Sequence, residues 1–101
     1  MNSLVTYDLE EKIFQESKHS QVKAAMKARG YMDSFIAEVD GKKSTYYLPN
    51  TTLWKQNIEP ATAKKDLLEV AAQNGAIVER LFANQFATNW VGLPGKPYVK
   101  K

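Results

Sequence analysis

The 101-residue chain has no cysteine and a single histidine, His19. Without thiols there can be no disulfide, thiolate nucleophile or zinc–sulfur centre, and a reducing cytoplasm suits such a chain. Four prolines and five glycines are too few for a fibrous or low-complexity protein. No apolar run approaches the roughly 20 residues that cross a bilayer. The opening string MNSLVTYDLEEK has acids where a secretory leader would be apolar, so neither export nor a membrane is expected. Neither sign of charge dominates: 14 Lys and Arg against 11 Asp and Glu leave +3, less than a dedicated nucleic-acid binder usually carries. G-x-S-x-G, a phosphate loop, a dinucleotide fingerprint, an RNP-type string and metal-spaced histidines are all missing. Near the first helix, His19 has no visible base or acid partner and reads as solvated.

What is present is ordinary globular material, 44% hydrophobic and 11% aromatic. A chain of this size buries one core, so residues 1–101 are expected to form a single cytoplasmic domain, with residues 87–101 as a turn-rich C-terminal extension. Within that extension Trp90 and Val91 can dock. Charge is unevenly spread. Residues 1–16 carry −3, residues 17–30 carry +4 with no acid, and the stretch from 81 onward carries +3.

Residues 3–9 are rich in β-formers and predict a strand that ends where acids begin. From Ser17 to Arg29 the period is helical, with Val22, Ala25 and Met26 on one face and Lys23 and Lys27 beside it. Ser17 or Ser20 can cap its start, and Gly30 suits a left-handed stop. Residues 34–39 predict a second strand. Asp40-Gly41 then signals a hairpin turn into STYYL, which Pro49 interrupts. TTLWKQ resumes it as a bent continuation or an extra edge strand. Glu59-Pro60 opens a second helix, with Ala63, Leu67, Val70 and Ala71 in period and Leu68 and Ala72 widening the stripe. Asn74-Gly75 closes it. Residues 76–86 predict a last strand that is apolar on both parities, as if both faces were covered.

The order strand, helix, strand, strand, helix, strand predicts an α+β fold of the ferredoxin-like βαββαβ type, an antiparallel sheet with both helices on one face. Tyr7, Tyr46, Tyr47 and Trp54 lie on or beside strands and cannot all face those helices. Tyr46 and Tyr47, being adjacent, must take opposite faces. An aromatic surface is therefore expected on the uncovered side, free to bind something, to pair with a second copy or to be covered by the tail.

Three sets of residues can carry function. Asp8, near the end of the first strand, offers an oxygen ligand of the kind Mg²⁺ prefers; two copies facing across a two-fold axis would make a better site than one. The bland alternative is a lone acid that closes a strand. Lys23, Lys27 and Arg29 can neutralise phosphates, and Tyr46, Tyr47 and Trp54 can stack unpaired bases. Against that, lysines on a helix surface are commonly just solvated.

The stretch DGKKSTYYLPNTTLWKQNIEPATAKKDLLEVAAQNG, with LVTYDL ahead of it, resembles the GhoS-like endoribonuclease antitoxins. The matching positions are Gly41, Tyr47, Leu48, Pro49, Thr62, Leu68 and Ala71. Those antitoxins are similar to CRISPR-associated protein two, a ferredoxin-like homodimer whose first strand often ends in an aspartate. Some members of that wider group cleave RNA or DNA with Mg²⁺, and others only scaffold a larger complex. The resemblance implies a cytoplasmic homodimer in which two Asp8 carboxylates share Mg²⁺, the basic residues hold RNA and the rings stack a base. The long loop EEKIFQESKHS and the tail after Phe86 depart from the family pattern. Two other readings use the same residues without cleavage: an RNA-binding protein, and a module whose open sheet face or edge strand takes a protein partner.

Overall fold

The computed structural model describes residues 2–10, 18–87 and 92. Its elements are β1 (Asn2–Leu9), α1 (His19–Ala28), β2 (Ser34–Val39), β3 (Lys42–Tyr47), β4 (Thr52–Lys55), α2 (Pro60–Gln73) and β5 (Val78–Phe86). All strand pairing is antiparallel. The fold is α+β, as the alternation of patterns predicts. Residues 11–17, most of the long loop, and nearly all of the tail with Trp90 and Val91 lie outside the described residues.

Sheet formation follows from β1, whose odd positions are apolar or small and whose even positions are mixed. Val5, Tyr7 and Leu9 are buried, and with Ser3 they form one face. Val22 and Met26 of α1 and Ala63, Leu67 and Val70 of α2 pack on that face, together with Leu53 from β4. Both helices therefore cover the same side. Removing each of the Val, Leu and Met side chains from water stabilises the fold by about 1.5–3 kcal/mol. Ser3, the polar intruder, is satisfied because its Oγ donates to the carbonyl of Ile58.

Local chemistry sets most helix ends. α2 begins with Pro60 just inside an extended Glu59, and its chain turns off at Gly75 with φ +70°. α1 starts differently from expectation. Lys18 stands at the cap position with no side-chain hydrogen bond, Ser20 lies inside the helix, and Ser17 is outside the described residues. At the other end Gly30 takes φ +95°, and the Lys55 ammonium donates to the Arg29 carbonyl at 2.7 Å, serving an orphan carbonyl of the last turn. Leu68 and Ala72 face outward from α2 rather than widening its buried stripe, and Leu68 is 43% exposed.

The sheet is divided where a continuous one is expected. One unit has three strands in the order β4-β1-β5, and the hairpin β2-β3 is a second. They are joined where Met32 and Trp54 exchange backbone hydrogen bonds of 2.8 and 3.0 Å. Between the Ser34–Tyr47 pair and the Met32–Trp54 pair, one side advances two residues and the other seven. The surplus loops out at residues 48–51, because Pro49 lacks an amide hydrogen and Thr51 sits at φ +66°. The string TTLWKQ is thus an inner strand, paired to β1 on one side and bridged to Met32 on the other.

Candidate functional site

The face of β1 opposite the helices carries Leu4, Thr6 and Asp8. Register places Trp54 and Thr52 beside Leu4 and Thr6 on β4, and Asn84, Phe82 and Arg80 beside Leu4, Thr6 and Asp8 on β5. A bulge between the Asp8–Arg80 and Leu9–Val78 pairs inserts Glu79. It lets Val78 reach the core while Arg80, two residues on, faces the open side. That bulge explains why β5 is apolar on both parities. Leu81 and Ala83 pack against the core, whereas Phe82 is 63% exposed on the uncovered face.

Asp8 is the penultimate residue of β1. Its Oδ2 accepts from Arg80 Nε at 2.8 Å, and both side chains are exposed. The same carboxylate, followed by Glu79, holds the Arg80 guanidinium pKa above its ordinary range, so the arginine is charged at any physiological pH. Thr6, Tyr7, Asp8, Arg80, Leu81 and Phe82 line a small hollow of about 150 Å³. Among the described residues no three His, Cys, Asp or Glu side chains converge as metal ligands. One protomer therefore does not by itself fit Mg²⁺, since Asp8 is a single carboxylate with one oxygen on Arg80.

The predicted cations lie elsewhere. Lys23 and Lys27 both reach Asp33 Oδ2, at 3.4 and 3.0 Å. Burial alone would raise the Asp33 pKa, but Lys27 and then Lys23 outweigh it and hold it below the ordinary value. Arg29 bridges to Asp66 at 3.1 Å and Glu69 at 3.3 Å on α2. Tyr31 donates to the other Asp66 oxygen at 2.7 Å, and the Lys55 ammonium sits 5.4 Å from the Tyr31 ring centre. Lys23 and Lys27 thus tie α1 to the residue just ahead of β2, and Arg29, just past α1, ties that end to α2, on the side of the sheet away from Phe82.

The rings divide as well. Tyr7 is 3% exposed in the helix-side core, where burial pushes its pKa up to about 12. Trp54 is on the open face but enclosed: it stacks on Phe35 with ring centres 4.4 Å apart and meets Phe86 edge-on. Its Nε1 donates to the Ser34 carbonyl at 2.8 Å, tying the hairpin to the sheet. Tyr46 stands opposite Phe35 across the hairpin, and Tyr47 opposite Ser34, on the other face. Phe82 and Arg80, which sequence reasoning did not single out, mark the exposed part of the open face. Their signal was the double apolar parity of residues 76–86; the strand register that pairs Arg80 with Asp8 left no trace in composition.

Fold and face define an α+β sandwich in which, among the described residues, one sheet surface is uncovered around Phe82. No family model, no curated protein and no solved structure matches the chain.

Proposed function

We propose that this chain is an interaction module of the cytoplasm, binding a partner through the open sheet face and the β5 edge around Phe82. The observation that carries this reading is that the cations offered by the sequence are engaged away from the exposed apolar surface. Lys23, Lys27 and Arg29 are engaged with Asp33, Asp66 and Glu69 on the helix side, while Phe82 stands 63% exposed on the other. A phosphate-binding surface needs several unengaged cations beside its stacking rings; of those near Phe82, Arg80 is held by Asp8 and Lys64 is a single charge. An exposed ring on a nearly neutral face suits a polypeptide or a second copy.

One observation favours a second reading, the Mg²⁺-dependent endoribonuclease of antitoxin type. Asp8, Arg80 and Phe82 line a single hollow, which puts a carboxylate, a guanidinium and a ring within reach of one nucleotide. It requires a homodimer that brings two Asp8 carboxylates together and frees them from Arg80. Incubation of the full chain with mixed single-stranded RNA, in Mg²⁺ and then in EDTA, separates the two. The module reading expects intact RNA in both and no salt-sensitive retention. Cleavage in Mg²⁺ that disappears in Asp8→Ala overturns it in favour of the nuclease; retention that weakens steeply with salt overturns it in favour of an RNA binder.

A further inference from the structure

Resting on the reading of the β5 side as the binding surface, we propose that its partner is an extended, acidic polypeptide segment that adds to β5 as a further strand. The hydrogen-bonding pattern supplies the first step. Tyr7 N–H donates to Thr51 O, so the odd residues of β1 turn their peptide groups toward β4. In an antiparallel ladder the N–H and C=O of one residue point the same way, and directly opposed residues either exchange both bonds or neither. Leu81 and Ala83, which stand opposite Tyr7 and Val5, therefore direct their peptide groups away from β1. Among the described residues no backbone group meets them.

Those two residues also line a groove of about 310 Å³ with Phe82, Pro60, Ala61 and Lys64. Lining by three consecutive strand residues, which point to alternate faces, places the groove along the edge itself. β5 is nine residues long; its bulge at Glu79 and its charges lie at the start, and from Leu81 to Phe86 it has neither charge nor proline to guard the edge. Strand addition would satisfy its outward peptide groups and give alternate side chains of the guest separate surfaces.

Charge selects the guest. Lys65 pairs with Glu69, and Asp66 and Glu69 bind Arg29, but Lys64 at the groove makes no ion pair among the described residues. A carboxylate on the guest's helix-side parity meets Lys64, and an apolar side chain on the other parity covers Phe82. A second copy is the poorer occupant. Although antiparallel self-pairing of Leu81 with Ala83 would pair the two Phe82 rings, it brings two Lys64 side chains of like charge to one seam.

The test pans the full chain against a displayed library of short random peptides. Enriched sequences are expected to alternate acidic and apolar residues. Lys64→Glu is expected to weaken their binding about tenfold, the size of one charge-assisted contact, and to select basic peptides instead. Ala83→Pro removes an outward N–H without touching the β1 ladder, and should abolish binding. Should that variant fail to fold, peptides N-methylated at alternate residues, which lack the matching donors, must lose affinity with the unaltered chain. Peptides that need Phe82 but tolerate N-methylation and Lys64→Glu overturn strand addition and leave the binding face standing. Enrichment of nothing, or of peptides indifferent to both Phe82→Ala and Ala83→Pro, overturns both. A dimer that Ala83→Pro dissociates shows that the edge belongs to a second copy and overturns the acidic guest.

Discussion

At the scale of single residues, Tyr31 shows how a buried polar group is made stabilising. It is 2% exposed, and its hydroxyl meets a carboxylate that Arg29 already holds. Burial, followed by the Asp66 hydrogen bond and charge, raises its pKa well above the ordinary 10.0. The folded state therefore favours the neutral phenol. Its contribution is complete below about pH 10 and is lost as the pH rises toward the folded value, because the unfolded chain ionises first. Tyr7, raised by burial alone, acts in the same direction. Thermal melts should be flat through neutral pH and fall above pH 10. Tyr31→Phe should flatten part of that alkaline slope and lower stability at neutral pH by about 1.5 kcal/mol, since a bond to a charged acceptor disappears. An unchanged slope in the variant would contradict this assignment.

Among the elements, the β2–β3 hairpin is the least integrated. It joins the sheet through the Met32–Trp54 bridge, the Trp54 Nε1 to Ser34 carbonyl bond, and the aromatic contacts of Phe35. Ile36, on its strand β2, is 74% exposed. Trp54 contributes a stack and a hydrogen bond to Ser34, so it acts as the fastening. Trp54→Phe keeps a ring but removes the donor and part of the stack. Amides of residues 34–47 should then exchange faster, with about 1–2 kcal/mol less protection, while those of β1 and α2 change little. Equal loss in every element would show that the hairpin is part of the main cooperative unit.

For the molecule as a whole, one core under both helices sets the stability. Leu67 is fully buried there, and the adjacent Leu68 is 43% exposed. Leu67→Ala should cost about 3 kcal/mol in a single unfolding transition, through lost burial and the cavity left behind. Leu68→Ala should cost under about 1 kcal/mol, and urea titrations of the two variants would compare them directly. Similar costs would mean that α2 is rotated about its axis from the orientation described. The same architecture separates the surfaces: the helices, with the ion pairs of Lys23, Lys27 and Arg29, occupy one side, and exposed Phe82 stands on the other.

Local rules determined a good deal by themselves. The period of Ala63, Leu67, Val70 and Ala71, the Pro60 start and the Gly75 stop define α2, because capping and amphipathicity act over a few residues. The Asp40-Gly41 turn defines the hairpin, and the alternation along β1 defines the face that is buried. Pairing between distant segments was not readable. The sequence offered Lys23, Lys27 and Arg29 as cations, but their engagement with Asp33, Asp66 and Glu69 depends on how α1 lies against α2 and β2. The same holds for Asp8, whose partner Arg80 is 72 residues away and is set by a bulged register. Phe82 is exposed because both helices of the described residues lie on the other side. Composition specifies what a side chain prefers; only the packed chain decides which preferences are met and which remain for another molecule.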